Sequence, residues 1–174
     1  QDWDWSSLRL MGVLQRIGLA YGIAAFSILY ICRKWLFFAS GLTLILYWIV
    51  LLLFGTGDPY SLETNIVRYI DNSLLGSDHL YMGTGIPFDP EGLLSTIPSV
   101  VTVIFGYAVG REIHRVKESY LLLRKLILIG VITTVGGVIW GFFFPINKHL
   151  WTSSYVLYTG GIGTLVMTAF YWFI

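Results

Sequence analysis

Long apolar runs without charged residues are the feature that most limits how this chain can fold. A helix needs roughly 20 residues to cross a bilayer, and uncharged runs near that length occupy residues 35–54, 93–110, 126–144 and 150–174. A fifth segment carries Arg16 near its start but is uncharged from Ile17 to Cys32. Only 12% of the 174 residues are charged, so a soluble helical protein would lack the polar surface to cover these runs.

The sequence therefore predicts an all-α integral membrane protein, a bundle of about five transmembrane helices in a single membrane-embedded segment. The expected spans are residues 10–32, 35–54, 92–110, 126–144 and 153–174.

The distribution of lysine and arginine predicts which side of the membrane each connection faces. Two connections hold most of the positive charge, which indicates the cytoplasmic side: Arg33 and Lys34 in the first, and Arg111, Arg115, Lys117, Arg124 and Lys125 in the loop 111–125. The long connection 55–91 is rich in acidic residues, so we expect it to face outward.

The long outer connection is predicted to contain a short amphipathic helix. Leu62, Ile66, Ile70 and Leu74 recur every four residues, and Glu63, Arg68 and Asp71 lie on the opposite face, with Gly76 as the terminator. Such a helix either forms a lid on the membrane or simply packs at the interface. After it, Asp89 is expected to cap the third span, with Pro90 as its first residue.

Two outer stretches carry polar residues that suit chemistry or ligand binding. In the first, Asp78 precedes His79, and a histidine near a carboxylate can accept protons near neutral pH, although a solvated surface pair is the more common case. In the second, residues 145–154 surround Trp151 with hydrogen-bonding groups. That mixture fits a sugar site and a membrane-interface belt equally well.

Charged groups elsewhere also allow two interpretations. Arg16 can face a polar cavity as a functional residue or extend to the headgroups. The basic loop can attract the phosphates of a nucleotide-containing donor, but the positive-inside bias also explains its charge. With Cys32 as the single cysteine and without a paired-histidine motif, we expect no metal. We also expect no nucleic-acid partner.

Four strings, taken in order, resemble the heparan-alpha-glucosaminide N-acetyltransferase-like family of membrane acyltransferases and its bacterial relatives of unassigned substrate. The resemblance covers about residues 12–159. The strings are Gly12-Val-Leu-Gln-Arg-Ile-Gly18, Gly76-Ser-Asp-His-Leu-Tyr81, Phe88-Asp-Pro-Glu-Gly-Leu-Leu-Ser-Thr-Ile97 and Pro145-Ile-Asn-Lys-His-Leu-Trp-Thr-Ser-Ser-Tyr155.

The resemblance implies an enzyme that moves an acetyl group from cytosolic acetyl-CoA to an amino sugar or glycan on the outer face. It implies three groups of site residues. His79, Asp78 and Asp89 would orient or deprotonate the acceptor amine. Asn147, Lys148, Trp151, Glu91 and Arg16 would bind substrate, and Arg111, Arg115, Lys117 and Arg124 would meet the phosphates of the donor.

The family resemblance also implies that the chain is a central segment. In that family the histidine usually assigned to catalysis precedes the string that begins at Gly12, and further spans follow the tryptophan string. We therefore expect the segment to be inactive alone, with the remaining helices of a parent chain, membrane lipid and a possible second copy as partners. The expected location is a bacterial inner membrane, or a lysosomal-type membrane if the source is eukaryotic. A small-solute transporter subunit and a purely structural segment are the competing functions, and binding of labelled acetyl-CoA separates acyl transfer from transport.

Overall fold

The computed structural model describes residues 8–116 and 118–173, and within them the fold is entirely helical. The helices are α1 (Val13–Tyr30), α2 (Arg33–Phe54), α3 (Ile66–Leu75), α4 (Leu93–Arg115), α5 (Ser119–Gly141) and α6 (Ser153–Phe173), with a 3₁₀ turn at Ser77–His79 after α3. Five of the helices, all except α3, are long and apolar enough to cross a membrane. The predicted fold class, a multi-pass helical membrane bundle with a short helix in the long connection, is confirmed.

Helix α4 is the central element of the bundle, because it packs against α1, α2, α3, α5 and α6. Helices α5 and α6 form the most extensive pairwise interface. The starts of α1, α4 and α6 lie at one end of the bundle, which we call the loop end, together with the connections 55–92 and 142–152. The short connections 31–32 and 116–118 lie at the opposite end, called the basic end after Arg33, Lys34, Arg111 and Arg115.

The loop end is held by a buried aromatic and aliphatic cluster. Tyr47 and Leu51 of α2 pack there with Val67 of α3 and with Phe88, Phe144 and Leu150 from the connections. Polar side chains in this region satisfy backbone carbonyls that water cannot reach. The hydroxyl of Tyr47 donates to the Leu150 carbonyl at 2.5 Å, and the hydroxyl of Ser153 donates to the Leu44 carbonyl at 2.7 Å.

Close approach between α5 and α6 depends on glycine at particular positions. A Cβ at Gly137 would lie 2.5 Å from the Tyr158 nitrogen and 2.9 Å from the Ser154 carbonyl oxygen. By contrast, a Cβ at Gly18, Gly22, Gly106 or Gly110 would have no atom within 4 Å. Of the glycine pairs spaced by four residues in the sequence, those in α1 and α4 therefore do not bring helices together in this bundle.

The structure corrects two expectations for the long connection. Asp71, expected on the polar face of α3, is fully buried, while Leu74 is 67% exposed. Asp71 turns inward because its Oδ1 accepts a hydrogen bond from the Leu93 amide at 2.9 Å, at the start of α4. The expected cap, Asp89, lies three residues before the N-cap Gly92, and its Oδ1 accepts instead from the Glu91 amide. The side chain of Asp71 in α3 thus caps the start of α4.

Burial raises the pKa of the Asp71 carboxyl group. Desolvation raises its pKa from 3.8 to about 6, against the lowering effect of the Leu93 and Leu94 amides, and the charge of Asp89 raises it further. Its Oδ2 is buried without a hydrogen-bond partner. The Asp71 carboxylate lies directly against Gly92, where an added Cβ would overlap it.

We predict that the stability of the protein falls as pH rises from about 4 to about 6. The folded state holds a proton on Asp71 that the unfolded state releases, and the difference corresponds to at most about 3 kcal/mol. Asp71→Asn keeps an acceptor for the Leu93 amide but cannot ionise, so it should flatten this dependence. The measurement is the unfolding midpoint of both proteins in detergent across this pH range. A wild-type midpoint that rises over the same interval would contradict the prediction.

We predict that Gly137→Ala lowers the free energy of unfolding by about 1–3 kcal/mol, because the added methyl group meets backbone atoms of α6 that cannot move aside. The matched control is Gly136→Ala, one position along α5, where the methyl group meets no atom within 4 Å. Denaturant titration in detergent micelles compares the two variants. Equal effects would show that α5 and α6 do not pack closely at Gly137.

Candidate site at the loop end

A connected polar network joins three distant parts of the chain at the loop end. Arg9 donates to both carboxylate oxygens of Asp89, from Nε to Oδ2 at 2.9 Å and from Nη2 to Oδ1 at 2.7 Å. The same Nη2 donates to Glu91 Oε2 at 2.7 Å. A planar guanidinium that holds one carboxylate in two places is among the stronger polar contacts in proteins, so this arrangement fixes the turn that precedes α4.

The environment of Arg9 maintains its charge. Its guanidinium lies 4.6 Å from the centre of the Tyr81 ring, and the hydrogen bond to Asp89 is the largest cause that raises the pKa of Arg9 above its ordinary value. Asp89 is fully buried, and its contacts with Arg9 offset part of the cost of removing a carboxylate from water.

Arg16 connects this turn to the tryptophan loop. Its Nη1 donates to the Pro90 carbonyl at 3.0 Å, and its Nη2 lies 3.7 Å from Glu91 Oε1. On its other side, the guanidinium stacks over the Trp151 ring at 3.9 Å from the ring centre. Arg16 is only 7% exposed, so its guanidinium lies inside the bundle among these groups.

Trp151 is held by contacts on several sides. Its indole Nε1 donates to Thr102 Oγ1 at 3.2 Å, and its ring packs edge-on to Tyr155 at 5.0 Å. Its φ angle of 50° is the only positive value for a non-glycine among the described residues, a backbone conformation that occurs disproportionately at functional sites. Arg16 covers one face of the indole, and the ring also packs against the buried cluster of Leu44, Val101 and Val156.

The other predicted substrate residues of this loop lie apart from Arg16. Asn147 organises the turn before α6. Its side-chain Oδ1 accepts a hydrogen bond from the backbone amide of His149 at 2.8 Å, and its backbone amide donates to Thr152 Oγ1 at 3.0 Å. Lys148 is exposed. No hydrogen bond links either side chain to the Arg9 and Arg16 network within the described residues.

The predicted pair of Asp78 and His79 is not joined by a hydrogen bond within the described residues. Asp78 is exposed and accepts from the Ser77 hydroxyl at 3.3 Å. His79 instead places Nδ1 2.7 Å from the Leu8 carbonyl. Because a carbonyl can only accept, Nδ1 carries the proton and Nε2 of the neutral ring is left with its lone pair. That is the tautomer a proton acceptor needs.

The predicted donor-binding residues lie at the basic end, away from this network. Arg111 and Arg115 line one cleft of α4, whereas Arg124 of α5 lies over the Tyr120 ring at 5.7 Å. Lys117 lies outside the described residues. Within residues 8–116 and 118–173, no group of three or more histidine, cysteine or acidic side chains is arranged to hold a metal ion.

Sequence reasoning missed Arg9, Asp71 and Thr102, all of which contact predicted site residues or the start of α4. Arg9 precedes the first span, where positive charge usually signals only membrane orientation. Asp71 was placed by helical periodicity on the wrong face of α3.

No protein-family model matches the chain. Two curated proteins are similar to it, both named heparan-alpha-glucosaminide N-acetyltransferase. The mouse protein is 30% identical over 207 aligned positions, which cover 88% of this chain and 31% of the mouse protein. The human protein is 34% identical over 119 positions, which cover 59% of this chain and 18% of the human protein. The chain thus spans less than a third of the length of either relative. Over most of its length, the chain is therefore similar to heparan-alpha-glucosaminide N-acetyltransferases.

Proposed function

We propose that the protein is part of a membrane acyltransferase that moves an acetyl group from cytosolic acetyl-CoA to an amino sugar or glycan on the outer face. One observation supports this most directly. Strings that resemble the family but lie 60 or more residues apart contact one another, through Arg16 with Glu91 at 3.7 Å and Arg16 with Trp151 at 3.9 Å. Residues brought together in this way, and buried in apolar surroundings, are typical of a binding site.

Glu91 is the carboxylate best placed to bind an acceptor. Asp89 is fully buried with Arg9 on both of its oxygens, so its role is to hold Arg9 in position. The Glu91 side chain is 14% exposed, and its two oxygens face different arginines. The oxygens of this side chain can accept hydrogen bonds from an ammonium group or from sugar hydroxyls.

His79 is proposed to receive the proton of the acceptor, with Asp78 nearby in the same turn. The lone pair on Nε2 can take a proton from the attacking amine while Nδ1 stays bound to the Leu8 carbonyl. In the transfer, the amine nitrogen forms a bond to the thioester carbonyl carbon and the carbon–sulfur bond breaks. The proton leaves on the base, and the thiolate leaves with the coenzyme.

At the basic end, we propose that Arg111, Arg115, Lys117 and Arg124 attract the phosphates of acetyl-CoA. At the loop end, Asn147, Lys148 and Trp151 are proposed to hold the acceptor or the acyl end of the donor. This assignment depends on the positive-inside rule, which orients the basic end toward the cytosol.

We predict that Glu91→Gln in the full-length protein lowers kcat/KM for acetyl transfer to a glucosamine acceptor by about 10- to 100-fold, the effect of losing one charge-assisted contact. The assay measures the transfer of labelled acetyl groups from acetyl-CoA to the glucosamine acceptor in isolated membranes. The control is Glu63→Gln, an exposed acidic residue in the same connection that should leave the rate unchanged. Normal transfer by the Glu91 variant would remove this residue from the proposed site.

We predict that His79→Gln and Trp151→Ala each reduce acetyl transfer, whereas His149→Gln does not. His149 is an exposed histidine at the same end of the bundle, so it controls for general effects of losing an imidazole there. A pH–rate profile of the His79 variant supplies a second readout, because loss of a proton acceptor should remove the limb on the acidic side. If His79→Gln, Asn147→Ala and Trp151→Ala all transfer acetyl groups normally, these assignments are wrong.

We predict that cysteines at Asp78 and Lys148 react with an impermeant maleimide from the outer side of intact cells, since both positions are exposed at the loop end. Cys32, the exposed free cysteine at the basic end, should react only after the membrane is made permeable. D78C and K148C are therefore made in a C32S background, and the native chain supplies the opposite control. Labelling of the two new cysteines from different sides would exclude a shared outer pocket.

A further inference from the structure

A cleft at the basic end combines positive charge with an aromatic floor. It has a volume of about 350 Å³ and lies over α4 between α2 and α5. Arg33 and Phe37 contribute from α2, and Phe105, Arg111 and Arg115 contribute from α4. Because α2 and α5 each pack on α4 rather than extensively on each other, the cleft opens sideways between these two helices.

The cleft carries an excess of positive charge. Glu112 is the single acidic residue in its lining, and Lys125 of α5 already binds that carboxylate at 3.4 Å. Arg115 lies 3.9 Å from the other oxygen of Glu112. No carboxylate lies within ion-pair distance of Arg33 or Arg111 among the residues that the structure describes. An anion in the cleft would therefore meet arginines whose charge is not neutralised inside the protein.

The apolar part of the cleft lies deeper in the bundle than its charges. Phe37 follows Arg33 by one helical turn of α2, about 6 Å along the axis, and Phe105 precedes Arg111 by about 9 Å along α4. Phe37 is 41% exposed, so a large aromatic surface faces the opening. A ligand that fits this arrangement carries its anionic group at the rim and a hydrocarbon chain directed toward the centre of the membrane.

We propose that this cleft binds one anionic phospholipid, with its phosphate oxygens on Arg33 and Arg111 and an acyl chain against Phe37 and Phe105. Basic pockets between helices on the cytoplasmic side are suited to such headgroups. This site goes beyond the proposed acetyl transfer but shares Arg111 with the proposed donor site, so the lipid and the donor would compete for this arginine. A free phosphate shares the anionic chemistry but supplies no acyl chain to cover the exposed aromatic surface, so a lipid fits both the charged and the apolar part of the cleft.

The test measures lipid binding to the whole protein, purified from membranes in a non-ionic detergent. Native mass spectrometry compares retention of phosphatidylglycerol with that of phosphatidylcholine of the same chain length. We expect one phosphatidylglycerol per chain, and affinity about fivefold weaker for each of Arg33→Gln and Arg111→Gln. Arg111→Lys should retain most of the binding. The matched control is Arg124→Gln, a cation of the same end that lies outside the cleft and should have no effect.

Three results would overturn the proposal. Equal retention of phosphatidylcholine would remove the requirement for net negative charge. An equal loss of phosphatidylglycerol binding in Arg124→Gln would show that binding depends on the total positive charge of the basic end and not on the cleft. Displacement of the lipid by millimolar inorganic phosphate would show that the cleft binds a phosphate group without needing an acyl chain. Arg33 is exposed, so its replacement should preserve the fold, and an unchanged elution profile and helical circular dichroism verify this for every variant.

Discussion

Burial of polar groups where water cannot satisfy them is the constraint on which this bundle depends. In the apolar interior, an unpaired carbonyl or carboxylate costs far more than it does at a soluble surface. At the loop end, side chains from one element repeatedly complete the hydrogen bonds of another, as Tyr47 does for the Leu150 carbonyl and Asp71 does for the Leu93 amide. These bonds join α2 to the tryptophan loop and α3 to α4, so they hold the irregular connections against the helices.

The same constraint explains how the residues of the candidate site are arranged. Asp89 is buried without access to water, and its charge requires Arg9. Arg16 is also buried, and it is accommodated by a carbonyl, a carboxylate and the face of an indole. Each of these groups compensates another, which explains why residues so distant in sequence are held within contact distance. The resulting cluster is polar and connected, and it lies among apolar helices.

The fold was largely predictable from the sequence because lipid imposes a simple rule on length and hydropathy. Long uncharged runs have few alternatives to spanning helices, and Gly76 does end α3 with the positive φ of 84° expected of a terminating glycine. The site was predictable only in part. Arg16, Glu91 and Trp151 could be proposed by type and by family resemblance, but their mutual contacts depend on the register of α1 against α4, which no local pattern contains. For Asp71, tertiary contact with the start of α4 overrode the periodicity of α3.

The central position of α4 has a mechanical consequence. This helix runs unbroken for 23 residues through Pro98, a rod of about 34 Å. It follows directly from the turn that bears Asp89 and Glu91 at one end, and it carries Arg111 and Arg115 at the other. The turn that bears Asp89 and Glu91 is therefore held at a fixed distance from Arg111 and Arg115, and neither end of α4 can shift along the axis without the other.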